Sequence, residues 1–258
     1  MKALVIDAGG TTVKIYASGH AERRVFASGR TLTPGRMVSQ VKELTRDWLY
    51  DVVSIGYPGP VTNGKPAREP RNLGRGWIGF NFQRAFGRPV RMMNDAAMQA
   101  LGSYDGGVML FIGLGTGLGS AVVAQQFVLP MEIGHLSYRQ GTYEDFIGAR
   151  GLQKYGETQW RRHVAFGIAR LISALQVDDV VLGGGNARKL GRLPPKCRHG
   201  DNAHAFLGGL RMWEKEIGSD EVNRSRRWVE RLSEAPALSR RKALTATRPH
   251  AARAHLHH

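Results

Sequence analysis

The sequence predicts an α/β protein built as one large domain or as two lobes. A length of 258 residues gives room for either, each unit burying its own core. Hydrophobic residues make up 42% of the chain and there are 33 glycines, a composition that suits many tight turns between regular elements. Short apolar runs that end in glycine or an acid alternate with longer segments of helical period.

The first run, Lys2 to Asp7, is followed by Gly9-Gly10-Thr11-Thr12 and a second run, Val13 to Ala17, so a strand, a tight turn and a strand are expected. Met37, Val38, Val41, Leu44, Trp48 and Leu49 mark one face of a helix from Pro34 to Tyr50. Asp51 to Gly56 predicts a buried strand closed by the rigid turn Tyr57-Pro58-Gly59-Pro60. Asn63 to Gly76 is a polar loop long enough to be functional or disordered, with Asn72 a substrate-contact candidate. Pro89 to Met93 predicts a strand that delivers Asn94-Asp95 to the start of a helix, Ala96 to Leu101. The stretch that follows finishes as a strand broken by Gly113, Gly115, Gly117 and Gly119. Further on come a helix start near Tyr143 to Leu152, an amphipathic helix from Glu157 to Gln176, a buried strand from Val177 to Leu182 and a helix from Asn202 to Trp213.

Two of these places carry chemistry. Glycine has no Cβ and tolerates positive φ, so the amides of Gly9-Gly10-Thr11-Thr12 and of the second glycine stretch can close around phosphate oxygens. Asp7 could hold Mg²⁺ directly or through water, and Lys14 lies just beyond the turn. Asp95 offers a carboxylate that could take a proton, and a base beside a phosphate cradle points to phosphoryl transfer. Each motif also has a plain structural reading. DAGGTT could be an ordinary hairpin turn, and Asp95 an N-cap. Glu132 and His135 could bind a polyhydroxyl ligand or be a surface pair. Gly183-Gly184-Gly185-Asn186 could admit a flat ring or be a generous loop.

Composition sets the outer bounds. No apolar run approaches the length of about 18 residues that spans a bilayer. The N-terminus enters a strand without a signal-peptide pattern, so the expected compartment is the cytoplasm. Cys197 is the single cysteine, which rules out a disulfide or a cysteine-based zinc site within one chain. The net charge of +16 would suit nucleic acid or a polyanionic substrate, but arginine outnumbers lysine 28 to 9 and is scattered as on a solvated surface. Residues 218–258 hold nine Arg or Lys against four acids and few large apolar residues, so a disordered or loosely docked basic tail is expected, with a helix near Val222 to Leu232.

In order, DAGGTTVK, GYPGPV, MNDAAMQAL, GLGTGLGSAV, MEIGH and VVLGGGN resemble the ROK family of sugar kinases within the hexokinase–actin–Hsp70 superfamily, nearest to its bacterial glucokinase and polyphosphate-glucokinase members. The likeness covers Met1 to Trp213. It implies a two-lobed, ribonuclease H-like α/β fold with a cleft between lobes, 1–96 and 97–217. It implies Asp95 as general base and Asn94, Glu132, His135 and Glu144 as sugar ligands. Gly9, Gly10, Thr11, Thr12 and Lys14 match the first phosphate motif; Gly115, Thr116 and Gly117 match the second. Gly184 and Gly185 match the nucleotide-base loop. The activity implied is transfer from ATP or inorganic polyphosphate, with Mg²⁺, to the 6-hydroxyl of a hexose such as glucose, by a homodimer.

Many ROK proteins carry a zinc-binding cysteine cluster after E-x-G-H. Here His135 runs into LSYRQGTYEDF, so no structural zinc is expected and the subfamily shifts toward the polyphosphate users. The missing landmark weakens the transfer to Glu144. Two rival classes share parts of the pattern. ROK repressors place a helix-turn-helix before the first strand, which here starts at Lys2, and the basic tail lacks nucleic-acid signatures. Other small-molecule kinases of the superfamily share the opening motif but are disfavoured by the GLGTGLG and MEIGH pair.

Overall fold

The computed structural model describes residues 1–214, apart from Gln126 and Asn202; the expected tail and its helix near 222–232 lie outside the described residues. In the first half, β1 (Ala3–Ala8), β2 (Thr12–Ala17) and β3 (Arg24–Ala27) form a meander. Helix α1 (Pro34–Leu44) leads to β4 (Val52–Tyr57). A small hairpin, β5 (Val61–Thr62) with β6 (Lys65–Pro66), and α2 (Phe82–Phe86) precede β7 (Val90–Asn94). The sheet order is β3-β2-β1-β4-β7, with β4 parallel to both β1 and β7.

After α3 (Asp95–Ser103) the same plan returns. Strands β8 (Val108–Leu114), β9 (Leu118–Ala124) and β10 (Phe127–Met131) make a second meander. A short hairpin, β11 (Ser137–Tyr138) with β12 (Gly141–Thr142), leads into α4 (Tyr143–Ile147) and α5 (Ala149–Leu175). Then β13 (Asp179–Gly183) and β14 (Cys197–His199) complete an order of β10-β9-β8-β13-β14, and α6 (Ala203–Arg211) follows. Each half is therefore an antiparallel meander extended by two parallel strands. The turns β1–β2 and β8–β9 occupy equivalent places.

Burial follows this topology. β1 is buried along its whole length, as a central strand covered on both faces must be, whereas β2 alternates buried and half-exposed residues. Leu4 and Ile6 join the core under α1, while Val5 packs with Met98 and Leu101 of α3 and Ala205 of α6. A Cβ on Gly209 would stand 2.3 Å from Val5, so α6 can lie on this strand only because the residue is glycine. Ser54 of β4 donates to the carbonyl of Gly209 (2.6 Å), tying the last helix to the first sheet. Helix α3 touches strands of both sheets.

Several expectations shift in detail. Helix α1 stops at Leu44 rather than Tyr50, because Thr45 leaves helical geometry and its hydroxyl donates to the Val41 carbonyl (2.8 Å). Trp48 stays buried beyond the end, but Leu49 is 77% exposed. The glycine stretch is a hairpin of two paired strands, with Gly113 opposite Gly119, and not one broken strand. The segment near Tyr143 to Leu152 and the helix expected from Glu157 meet within α5, whose helical path is broken at Gly156 by a φ of 70°.

Candidate active site

The chemistry-bearing residues gather at the carboxyl edges of the parallel strands, where open α/β sheets receive ligands. In the first half, Asp7 of β1 pairs across to Gly56 of β4, which pairs to Met93 of β7, one residue before Asn94. In the second, Gly113 of β8 pairs to Gly183 of β13, so the Gly115–Gly117 turn and Gly184-Gly185 leave the sheet side by side.

The two hairpin turns are built alike. In the first, the Gly9 amide donates to the carbonyls of Asp7 and Thr12 (both 3.1 Å), and a Cβ on Gly9 would meet that Thr12 oxygen at 2.8 Å. Ser28 braces the turn, its hydroxyl donating to the Gly9 carbonyl (2.7 Å) and its amide to that of Thr11 (3.0 Å). In the second, the Gly115 amide donates to the Gly117 carbonyl (3.2 Å). Among the described residues, the amides of Gly10, Thr11, Thr116 and Gly117 find no hydrogen-bond acceptor. Unpartnered amides in a glycine turn are what an anion needs.

Asp95 opens α3 at its first turn, and the helix cap is Asn94, whose Oδ1 accepts from the Ala97 amide (3.1 Å). The N-cap reading of Asp95 is thus replaced by one that leaves its carboxylate available. Both hydrogen bonds resolved to that carboxylate fall on Oδ1, from the Ala96 amide (2.8 Å) and Asn94 Nδ2 (3.1 Å). Asn94 Nδ2 also donates to the Gly59 carbonyl (3.2 Å), so the rigid YPGP turn holds the amide that holds the acid. Asp95 keeps a partly open surface yet sits in dense surroundings. Desolvation, and next the nearby charge of Asp7, push its pKa up to about 7, against the opposing pull of its hydrogen bonds.

Asp7 is 3% exposed, and burial raises its pKa too, opposed by Lys14, whose Nζ lies 3.3 Å from Oδ2. Lys14 is therefore placed to neutralise Asp7. Asn72, in the long polar loop, lies over the first turn, with its Cβ 3.1 Å from where a Cβ on Gly10 would be.

Of the residues expected to hold a sugar, Glu144 lies against the second turn. Glu144 Oε2 is 3.6 Å from the Cβ position of Gly117, and its Cβ is 3.5 Å from that of Gly134. Glu144 is largely buried and paired with Arg150 (2.6 Å), a partner that no sequence motif signalled. Glu132 and His135 are mostly exposed, and Oε2 and Nδ1 stand 3.8 Å apart. Gly184 is fixed by sterics, with φ of 82° and a Cβ position 2.7 Å from the Leu114 carbonyl, while nothing lies within 4 Å of a Cβ on Gly185. Among the described residues no group of three or more His, Cys, Asp or Glu could hold a metal. One carboxylate suffices for Mg²⁺ that arrives with phosphates, and Asp7 beside an amide-lined turn fits that requirement.

Two equivalent sheets with glycine hairpins facing a carboxylate define a two-lobed α/β fold of the actin and hexokinase type. No protein-family model matches the chain. In sequence it is similar to the polyphosphate glucokinase of Mycobacterium tuberculosis (strain H37Rv), 28% identical over 212 residues that cover 74% of this chain and 80% of that protein. In fold it matches the inorganic polyphosphate/ATP-glucomannokinase from Arthrobacter sp. strain KM, with a TM-score of 0.70 at 21% identity over 82% of this chain and 97% of the other. It also matches a ROK family glucokinase from Streptomyces griseus solved with glucose and AMPPNP, with a TM-score of 0.67 at 17% identity over 82% and 99%. The chain thus resembles ROK-family sugar kinases, and its fold is theirs.

Proposed function

We propose that the protein is a hexose kinase that moves a phosphoryl group from inorganic polyphosphate, with ATP as a second donor, to the 6-hydroxyl of glucose. The observation that carries this reading is Asp95 at the start of α3, its resolved hydrogen bonds all on Oδ1 and its pKa pushed up to about 7 by burial, on the helix against which the β8–β9 glycine hairpin packs. A base is most effective with a pKa near working pH. The names of the similar proteins supply the substrate class, and the absent cysteine cluster and basic composition favour polyphosphate.

In the proposed reaction the 6-hydroxyl oxygen bonds to the terminal phosphorus as the bridging P–O bond breaks. Asp95 accepts the hydroxyl proton, and ADP or a polyphosphate shorter by one unit departs. Phosphoryl transfer asks mainly for alignment and charge neutralisation. The amides of Gly10, Thr11, Thr116 and Gly117 and the Lys14 ammonium supply donors to phosphate oxygens. Mg²⁺, held by Asp7 directly or through water, would offset donor charge. Glu132, His135 and Glu144 bind sugar hydroxyls. Asn94 has one acceptor position left for the sugar, because its other capacity orients Asp95 and caps α3. Gly184 and Gly185 receive the adenine ring when ATP is the donor, and 1–96 and 97–217 act as the two lobes, with α6 of the second stretch reaching back onto the first sheet. The working form is a cytoplasmic homodimer.

A coupled assay of ATP and polyphosphate against glucose, mannose, fructose and N-acetylated hexosamines tests the reading. Turnover of glucose with polyphosphate supports it; no turnover of any hexose with either donor rejects it.

A further inference from the structure

We infer that Arg30, Arg71 and Arg75 form an anion track that carries the trailing phosphates of a polyphosphate chain up to the first glycine turn. The inference deepens the proposed donor assignment and rests on it for the identity of the anion. The three arginines line one surface cavity of about 620 Å³. Among the described residues none of them makes an ion pair. The acid in the same cavity, Glu69, is committed to backbone, accepting from the amides of Gly76 (3.1 Å), Trp77 (3.2 Å) and Ile78 (3.3 Å). Three cations against one anion leave the cavity positive.

The geometry joins this cavity to the turn from two sides. The Gly74 amide donates to the Leu32 carbonyl (3.0 Å), which fastens the segment bearing Arg71 and Arg75 to the one bearing Arg30. Asn72, between Arg71 and Arg75, lies over Gly10, and Ser28, two residues before Arg30, bonds the carbonyls of Gly9 and Thr11. Arg36 stands in the neighbouring cavity beside Ser28. A phosphate held by the turn amides therefore has guanidinium groups within the same surface region. Guanidinium forks match phosphate oxygens and stay charged at any working pH. ATP ends its phosphates after three and continues as a nucleoside. A polyphosphate presents a further phosphate to each arginine, so the track selects the longer polyanion.

The test is equilibrium binding of long-chain polyphosphate, tripolyphosphate, ATP and a single-stranded RNA to the full chain, at several salt concentrations. It compares wild type with Arg30→Gln/Arg71→Gln/Arg75→Gln and with a charge-matched control, Arg46→Gln/Arg84→Gln/Arg162→Gln. The track variant should bind long-chain polyphosphate about tenfold or more weakly, because three exposed guanidinium–phosphate pairings are no longer made. Its salt slope should drop by roughly 0.7 to 1 per arginine removed. Tripolyphosphate and ATP should bind it as they bind wild type, and the control should match wild type throughout. Equal loss in track variant and control would reduce the effect to net charge and overturn the track. So would wild type that binds long chains no better than tripolyphosphate. RNA bound more tightly than polyphosphate through the same arginines would make the ligand nucleic acid and overturn the assignment. Binding that follows the expected pattern in an enzyme that turns over ATP alone would uphold the track and reject the donor reading, so the two fail separately.

Discussion

The Cβ that Gly119 lacks would stand 2.8 Å from the Cβ of Ala96. The β8–β9 glycine hairpin is thus pressed against the helix that starts at Asp95, and how closely the two approach is set by a missing methyl group. Gly119→Ala should force the hairpin away from α3 and lower kcat on the order of tenfold or more, since a misplacement of about 1 Å is costly in transfer chemistry. Adding Ala96→Gly returns the space and should recover most of the rate. It should lower Tm modestly, by about 2–4 °C per kcal/mol of lost helix propensity. A double variant no faster than the single would show that this contact does not set the site.

Asp95 should govern the acid limb of the pH profile. With its pKa near 7, kcat/KM should rise as pH climbs through that value. Stability should run the other way. Burial holds the folded carboxyl protonated to higher pH than the unfolded one, so its stabilising effect is full below about 3.8 and is lost as pH rises through about 7. Asp95→Asn should therefore gain Tm over wild type at pH 8 and much less at pH 4, as thermal melts would record. Removing the charge of Asp7, which helps raise this pKa, should move the Asp95 titration to lower pH in Asp7→Asn, a shift visible by carboxyl ¹³C NMR. An unmoved titration would mean that the two carboxylates do not sense each other.

Gly184 and Gly185 separate structure from binding. Gly184→Ala meets the Leu114 backbone and a positive φ, so it should lower Tm. Gly185→Ala meets nothing within 4 Å and should leave Tm unchanged. If an adenine ring lies on this loop, that second variant should raise KM for ATP several-fold and leave KM for polyphosphate as it was. Parallel changes for both donors would remove the base-loop role.

The parts that chemistry forces on a local stretch were legible in the sequence. Only glycine fits at Gly9, where a Cβ would strike the Thr12 carbonyl, so the first turn announced itself. The Asn94-Asp95 pair was legible as the junction where a strand ends and a helix begins. Edge and connecting elements were not. β3 and β14 are short strands with little full burial, and α2 is barely more than a turn, so none carries a period to read. Pairings remote in the chain left no local trace. The contact of Ser54 with Gly209, the ion pair of Glu144 with Arg150, and the convergence of Arg30 with Arg71 and Arg75 exist only once the chain is folded. The place of Asn94 at the end of a strand was legible, but not its role as the cap of α3, which leaves the Asp95 carboxylate available.

The most direct test is the rate of glucose 6-phosphate formation by Asp95→Asn beside wild type, with donor and glucose saturating and glucose affinity measured in parallel by calorimetry. Asparagine keeps the Oδ1 acceptor for the Ala96 amide and removes the proton acceptor. The predicted result is a fall in kcat of about 10²-fold or more, in the range for loss of a general base, with glucose affinity nearly intact. A variant that keeps most of its kcat would contradict the proposed chemistry, whatever the donor.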